Sequence, residues 1–225
     1  LNTPAYKIAS FEITDIPLIK YIASKKKPII LSTGIAYEDD IQLALTTIRS
    51  EGNNEIILLK CTSSYPSPIE ESNLVSIRSF NQKYGVTPGL SDHTLGKICP
   101  VVAVSLGARF IEKHFKLDDK ILGPDSDFSM NSKDFKLMVQ DIRNAEKALG
   151  KKDMNPSDLQ VQGRKFARSL YVVKDVKKGE IFSDKNVKSI RPGFGLHPKY
   201  LNDIIGKKSK LNLEKGTRFS LDYIK

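Results

Sequence analysis

The sequence predicts an α/β protein: part of a (β/α)8 (TIM) barrel lacking about its first three strands, followed by a small β-rich domain. Three observations predict it. Short apolar runs alternate with segments of helical periodicity from residue 5 to residue 149. Each apolar run ends in small or polar residues, and beyond residue 164 the pattern changes to short strands and tight turns. Repeated βα units imply a parallel sheet, and strands that are apolar throughout read as buried on both faces.

Taken in order, Ala5-Tyr6-Lys7-Ile8-Ala9-Ser10 reads as a strand. Asp15 to Ser24 then carries Ile16, Leu18, Ile19 and Ile22 at helical spacing, with Pro17 in the first turn. Pro28 to Gly34 is a second strand. Tyr37 to Ser50 is a helix with Ile41, Leu45 and Ile48 on one face and Gly52 as its stop. Glu55 to Thr62 is a strand that runs into Ser63-Ser64-Tyr65-Pro66, and residues 73–84 form a helix closed by Gly85. Val86 to Leu90 is a strand ending in Ser91-Asp92-His93. Ile98 to Leu106 suits a buried helix, and Ala108 to Glu112 is a strand ending in Lys113-His114. After a loop through Gly123-Pro124-Asp125, a helix spans residues 132–149. A closed barrel has eight such units in typically about 250 residues. Five fit here, so three are expected to precede Leu1.

The expected domains are residues 1–150, a polar linker over 151–165, and a small domain over 166–225. Within the last, Asp175-Val176-Lys177-Lys178-Gly179-Glu180-Ile181-Phe182 matches Asn212-Leu213-Glu214-Lys215-Gly216-Thr217-Arg218-Phe219. Lys-Gly before an aromatic suggests a tight turn into a strand, and two copies suggest a pseudo-symmetric domain.

Composition narrows the function. The chain has 225 residues, 40% of them hydrophobic and 28% charged, enough for a sizeable core. Cys61 and Cys99 make no disulfide framework. Their apolar sequence surroundings suggest buried free thiols in a reducing compartment, the cytoplasm. No apolar run approaches the roughly 20 residues of a membrane span. The net charge is +10, but the lysine clusters are short and have no interleaved aromatic platform, which argues against nucleic acid. A basic chain suits an anionic small substrate.

The candidate site residues lie at the strand ends: Lys7 and Ser10; Ser32 and Thr33; Thr62, Ser63 and Tyr65; Ser91 and His93; Glu112 and His114. In a barrel, strand C-terminal ends form the face where chemistry is done. Hydroxyls with a lysine suit a phosphate or carboxylate. Two imidazoles at neighbouring strand ends can hold a divalent metal with positions left open. In the small domain, Arg191 before Pro192-Gly193 presents a charged fork suited to bidentate recognition.

These residues resemble the sialic acid synthase family. The resemblance rests on Lys7-Ile8-Ala9-Ser10-Phe11-Glu12, Ser32-Thr33-Gly34, Cys61-Thr62-Ser63-Ser64-Tyr65-Pro66, Gly89-Leu90-Ser91-Asp92-His93-Thr94, Glu112-Lys113-His114-Phe115, Gly123-Pro124-Asp125 and Arg191-Pro192-Gly193. The chain is most similar to the family's pseudaminic acid-forming branch, with N-acetylneuraminate- and legionaminate-forming members as the alternatives, and its end resembles the antifreeze-like SAF domain. The resemblance implies condensation of phosphoenolpyruvate with an N-acylated amino-sugar aldehyde to a nine-carbon 2-keto sugar acid, with release of phosphate. It implies Mn2+ or Mg2+ on His93 and His114. It places phosphoenolpyruvate on Lys7, Ser10, Ser32, Ser63 and Ser91, with Ser63 standing where many members carry Asn. His93, His114, Tyr65 and Glu112 are the expected catalytic residues, Tyr65 and Asp125 contact substrate, and Arg191 reaches a second subunit's barrel and its sugar in a domain-swapped homodimer. A five-strand remnant leaves open edges, so the chain alone is expected to be inactive.

Overall fold

The computed structural model describes residues 2–225, which form two compact units, one ending at Lys151 and one beginning at Lys152. The first contains a five-stranded, all-parallel sheet in sequential order. Its strands and helices alternate: β1 Tyr6–Ile8, α1 Ile16–Ala23, β2 Ile29–Ser32, α2 Glu38–Ser50, β3 Ile56–Cys61, α3 Ile77–Tyr84, β4 Thr87–Asp92, α4 Ile98–Ser105 and β5 Phe110–Lys113. A short parallel pair follows, β6 Phe115–Lys116 with β7 Met130–Asn131, and then α5 Ser132–Leu149.

The register explains the sheet's two faces. Ile8, Leu31 and Leu58 occupy equivalent positions on neighbouring strands, and they are fully buried in one core with Ile19, Leu45 and Ile48 of α1 and α2. Leu90, with the same alternation, packs on Ile77, Cys99 and Ala103. Successive side chains of a strand point to opposite faces. Lys7, Ser32, Cys61, Ser91 and Glu112 therefore all emerge on the other face, at the strand C-terminal ends.

Two expectations shift. The helix expected over 73–84 is broken: Ile69–Ser72 and Leu74–Ser76 are 3-10 turns, and α3 starts only at Ile77. Asn73 between the turns has φ +45°, a left-handed conformation that ends helical propagation. The fourth strand also runs past Leu90 to Asp92, so the polar residues Ser91 and Asp92 belong to the strand itself. Residues 132–149 form the expected helix, opened by Asn131, whose side chain accepts from the Asp134 amide.

The second unit begins with α6 Asp158–Gln162 and a 3-10 turn over Gly163–Phe166, so the expected linker carries helical turns, with Ser157 capping the first. Strands β8 Ser169–Val172 and β9 Val187–Ile190 pair antiparallel, and α7 spans Leu201–Ile204. The sequence repeat is a structural repeat. Val176 and Leu213 exchange both backbone hydrogen bonds at 2.8 Å. Asp175 caps the Lys215 amide at 2.7 Å, and Asn212 caps the Lys178 amide at 2.8 Å, so each copy's polar residue holds the other copy's turn. Gly179 and Gly216 have φ of +84° and +94°, conformations that a side chain would strain. Phe182 and Phe219, the last residues of each copy, meet edge to face at 4.9 Å in the unit's core. Phe182 is fully buried. Phe182→Ala is expected to cost about 3–5 kcal/mol, enough to unfold most of so small a core. Denaturant titration followed by amide NMR should show the signals of residues 169–224 lost first while those of the sheet persist.

Candidate active site

At the C-terminal ends of the strands, the inward-facing residues form a continuous polar chain. Lys7 Nζ donates to Ser32 Oγ at 2.9 Å and stands 3.5 Å from Glu112 Oε1. The same Glu112 oxygen accepts from Ser91 Oγ at 2.7 Å. Lys7, on β1, and Glu112, on β5, lie on the sheet's two outermost strands, so this chain crosses the full width of the sheet.

A second cluster centres on Cys61. Ser10 Oγ accepts from the Gly34 amide at 2.9 Å and donates to Cys61 Sγ at 3.3 Å. Ser63 Oγ is 3.9 Å and His93 Nδ1 3.7 Å from the sulfur. Both cysteines are free and buried as expected, but the surroundings of Cys61 are polar, because the strand's alternation turns it toward the site rather than the helices. Burial opposes the Cys61 thiolate, yet hydrogen bonds from His93 and Ser10, the imidazolium charge and Ser91 outweigh it and hold the thiol below its ordinary value. Gly34 lies at the centre of this cluster. A Cβ there would overlap the Ser63 hydroxyl and stand 2.8 Å from Ser10 Oγ and 2.9 Å from Cys61 Sγ.

The histidines come together with two aromatic rings. The His93 and His114 ring centroids are 5.3 Å apart. Tyr65 packs on His93 at 4.3 Å, and Phe128 packs on His114 at 4.9 Å and Tyr65 at 5.4 Å. His93 Nδ1 is 3.0 Å from the Thr62 carbonyl, which can only accept. Nδ1 therefore carries a proton, and in the neutral imidazole Nε2 is the lone pair, the arrangement in which a ligating histidine's second nitrogen bonds a backbone carbonyl. His114 Nδ1 stands 3.4 Å from Asp125 Oδ2. Burial disfavours the His93 imidazolium, but Cys61, the Thr62 carbonyl and Asp92 prevail and raise its pKa. Burial also raises the Tyr65 phenol, reinforced by Cys61, Asp125 and Glu112 against a hydrogen bond from Ser63, so it remains a neutral donor. A cavity of about 230 Å³ opens between Ser91, His93, Glu112 and His114.

All the expected residues except Arg191 thus belong to one unit, Asp125 in the loop between β6 and β7 and the others on or just after β1 to β5. Arg191 lies in the second unit, exposed on the loop after β9. Among the described residues no three His, Cys, Asp or Glu side chains form a complete metal cluster. The donor set fits a divalent ion held by two imidazoles, with its remaining positions left to water and substrate. Phe128 and Gly34 were not expected as site residues. Phe128 sits in a loop whose position follows only from the β6–β7 pairing, and Gly34 acts by lacking a side chain.

A five-stranded parallel half-barrel sheet with hydroxyls, a lysine and two histidines at its strand ends, followed by a small β-rich unit, is the architecture of a TIM-barrel-type domain with an appended β module. The chain belongs to the NeuB family, whose model matches residues 1–154, and residues 167–222 match the SAF domain. It is 51% identical over 212 residues to pseudaminic acid synthase of Campylobacter jejuni, covering 94% of this chain and 62% of that protein. It is 48% identical over 226 residues to pseudaminic acid synthase of Helicobacter pylori, covering 100% of this chain and 66% of that one. The chain therefore spans just under two thirds of the length of these relatives. The crystal structure of spore coat polysaccharide biosynthesis protein spsE from Bacillus subtilis matches with a TM-score of 0.61 at 36% identity, over 98% of this chain and 67% of that one. No helix among the described residues is long and apolar enough to cross a membrane.

Proposed function

We propose that this chain carries the substrate and metal site of a cytoplasmic pseudaminic acid synthase, which condenses phosphoenolpyruvate with an N-acylated amino-sugar aldehyde. The observation that carries the reading is the single polar chain Ser32–Lys7–Glu112–Ser91 beside the paired His93 and His114. Lys7 contributes a positive charge and Ser32, Ser91, Ser10 and Ser63 contribute hydroxyls, a set that suits a phosphate and a carboxylate together. Glu112 accepts from Ser91 and pairs with Lys7, so it orients both groups toward the bound anion. Tyr65, packed on His93, and Asp125, beside His114, would contact the sugar. A divalent ion on His93 and His114, Mn2+ or Mg2+, would polarise the aldehyde oxygen as a Lewis acid. C3 of phosphoenolpyruvate forms the new bond to the aldehyde carbon, water adds at C2, and the C2–O bond breaks as phosphate leaves. The pseudaminate product is favoured by 48–51% identity to pseudaminic acid synthases, against 36–39% to N,N'-diacetyllegionaminic acid synthases.

The proposed active protein has three further strands that close the barrel from β5 to β1. It is a domain-swapped homodimer in which Arg191 of one copy meets the sugar in the other. Residues 152–225 hold 17 Lys and Arg against 8 Asp and Glu, so the second unit is the strongly positive one, which suits a cap over an anionic substrate.

The test is phosphate release with Mn2+, phosphoenolpyruvate and three acceptors: the pseudaminate precursor, the legionaminate precursor and N-acetylmannosamine. It is run on this chain and on an extended protein, in which a segment of the Campylobacter relative carrying the three proposed further strands precedes it. Release only by the extended protein, with the pseudaminate precursor preferred, is expected. No release with any acceptor would falsify the synthase reading.

A further inference from the structure

We infer that the buried ion pair between Asp92 and Lys113 is a positioning device that fixes the separation and ring orientation of His93 and His114. The inference rests on the metal-binding reading of those histidines. Asp92 and Lys113 are register partners on β4 and β5. Their side chains, each 1% exposed, meet at 2.6 Å, and each residue directly precedes a histidine. They leave the sheet on the face opposite Ser91 and Glu112, which are themselves bonded at 2.7 Å. The two strand ends are thus tied on both faces immediately before the histidines. The tie also reaches beyond His93. Lys113 Nζ donates to the Thr94 carbonyl at 2.6 Å, and Asp92 Oδ1 accepts from the Thr94 amide at 3.0 Å and hydroxyl at 2.8 Å. One ammonium therefore holds the residues on both sides of His93 while standing one residue before His114.

Stability does not account for charges in this place. Desolvating two charges offsets their attraction, and an apolar pair of the same volume is often as stable. A hydrogen-bonded ion pair has a fixed direction that an apolar pair lacks, and direction is what two ligating rings require. Removing the outer supports of metal-ligating histidines typically weakens metal binding about 10–100-fold.

The experiment uses the 225-residue chain and the double variant Asp92→Leu/Lys113→Met, which leaves net charge unchanged. Mn2+ affinity is measured by electron paramagnetic resonance, and the His93 tautomer by long-range proton–nitrogen NMR of the imidazoles. The expected result is a Kd for Mn2+ weakened about 10–100-fold, with His93 changed from one Nδ1–H tautomer to an average. His93→Ala, which removes a ligand, should abolish binding outright. Thr94→Val, which keeps the ion pair, should shift both readouts less and in the same direction, and it decides the matter if the double variant does not fold. Wild-type Mn2+ affinity together with an unchanged tautomer in the double variant overturns the inference. If the unmodified chain binds no Mn2+, the metal reading falls, and the tautomer alone upholds or overturns the positioning role.

Discussion

Gly34→Ala is expected to lower kcat/KM for phosphoenolpyruvate in the extended protein by about 100-fold, because displacing a positioned group by roughly 1 Å costs that much. The backbone of Gly34 is not left-handed, so alanine is objectionable only for the space it needs. The added methyl overlaps the Ser63 hydroxyl and presses on Ser10 Oγ and Cys61 Sγ. Ser10 is 5% and Cys61 2% exposed, so these two have nowhere to retreat, and Ser63 must swing out of the site. The loss should fall mainly on KM for phosphoenolpyruvate, with KM for the sugar little changed and the thermal midpoint moved by a few degrees at most. Steady-state kinetics with each substrate varied in turn check it. An unchanged KM for phosphoenolpyruvate would show that Ser10 and Ser63 do not touch that substrate.

Mixing two inactive variants of the extended protein should restore activity. Arg191→Ala removes the guanidinium proposed to reach the neighbouring subunit, and His93→Ala removes a proposed metal ligand from the resident barrel. Each alone is expected to lose at least about 100-fold, the usual consequence of deleting one preorganised charged or polar group. After unfolding and refolding together, random pairing in a two-fold dimer puts intact His93 and intact Arg191 into the same site in about a quarter of all sites. Recovery of that fraction of wild-type phosphate release is the expected outcome. No recovery, with dimers demonstrated by light scattering, would place Arg191 in its own subunit's site or in none.

Much of the first unit was legible because its signals are local. Ile29 to Ser32 and Ile56 to Cys61 are apolar runs punctuated by hydroxyls, and the long helix over 132–149 has a capping asparagine and a glycine stop. The strand-end positions of Lys7, Ser32, Ser91 and Glu112 followed from the same punctuation. What could not be read was which groups meet. The bond from Lys7 to Ser32 and the convergence of Ser91 and Lys7 on Glu112 depend on register between strands 21–25 residues or more apart. The polar environment of Cys61 was missed because the residue ends the apolar run Ile56 to Leu59, whereas its spatial neighbours Ser10, Gly34 and His93 lie just beyond the ends of β1, β2 and β4. Asn73 broke a helix because one left-handed residue stops propagation, and an asparagine in a helical pattern gives little warning of it. The turns over 158–166 were hidden by polar composition, which suits a linker as well as a solvated helix.

The repeat in the second unit has a consequence for how that unit holds together. Asp175 and Asn212 each complete the turn of the opposite copy, and the Val176–Leu213 and Phe182–Phe219 contacts lie between the copies, not within them. Each copy is therefore the other's binding partner across a self-complementary interface, the relation found in two-fold homodimers. Residues 183–211 add β9, α7 and the core residues Val187 and Ile204, and by joining the copies they also turn a bimolecular encounter into an intramolecular one. The paired copies are, in energetic terms, a dimer of two short peptides joined into one chain.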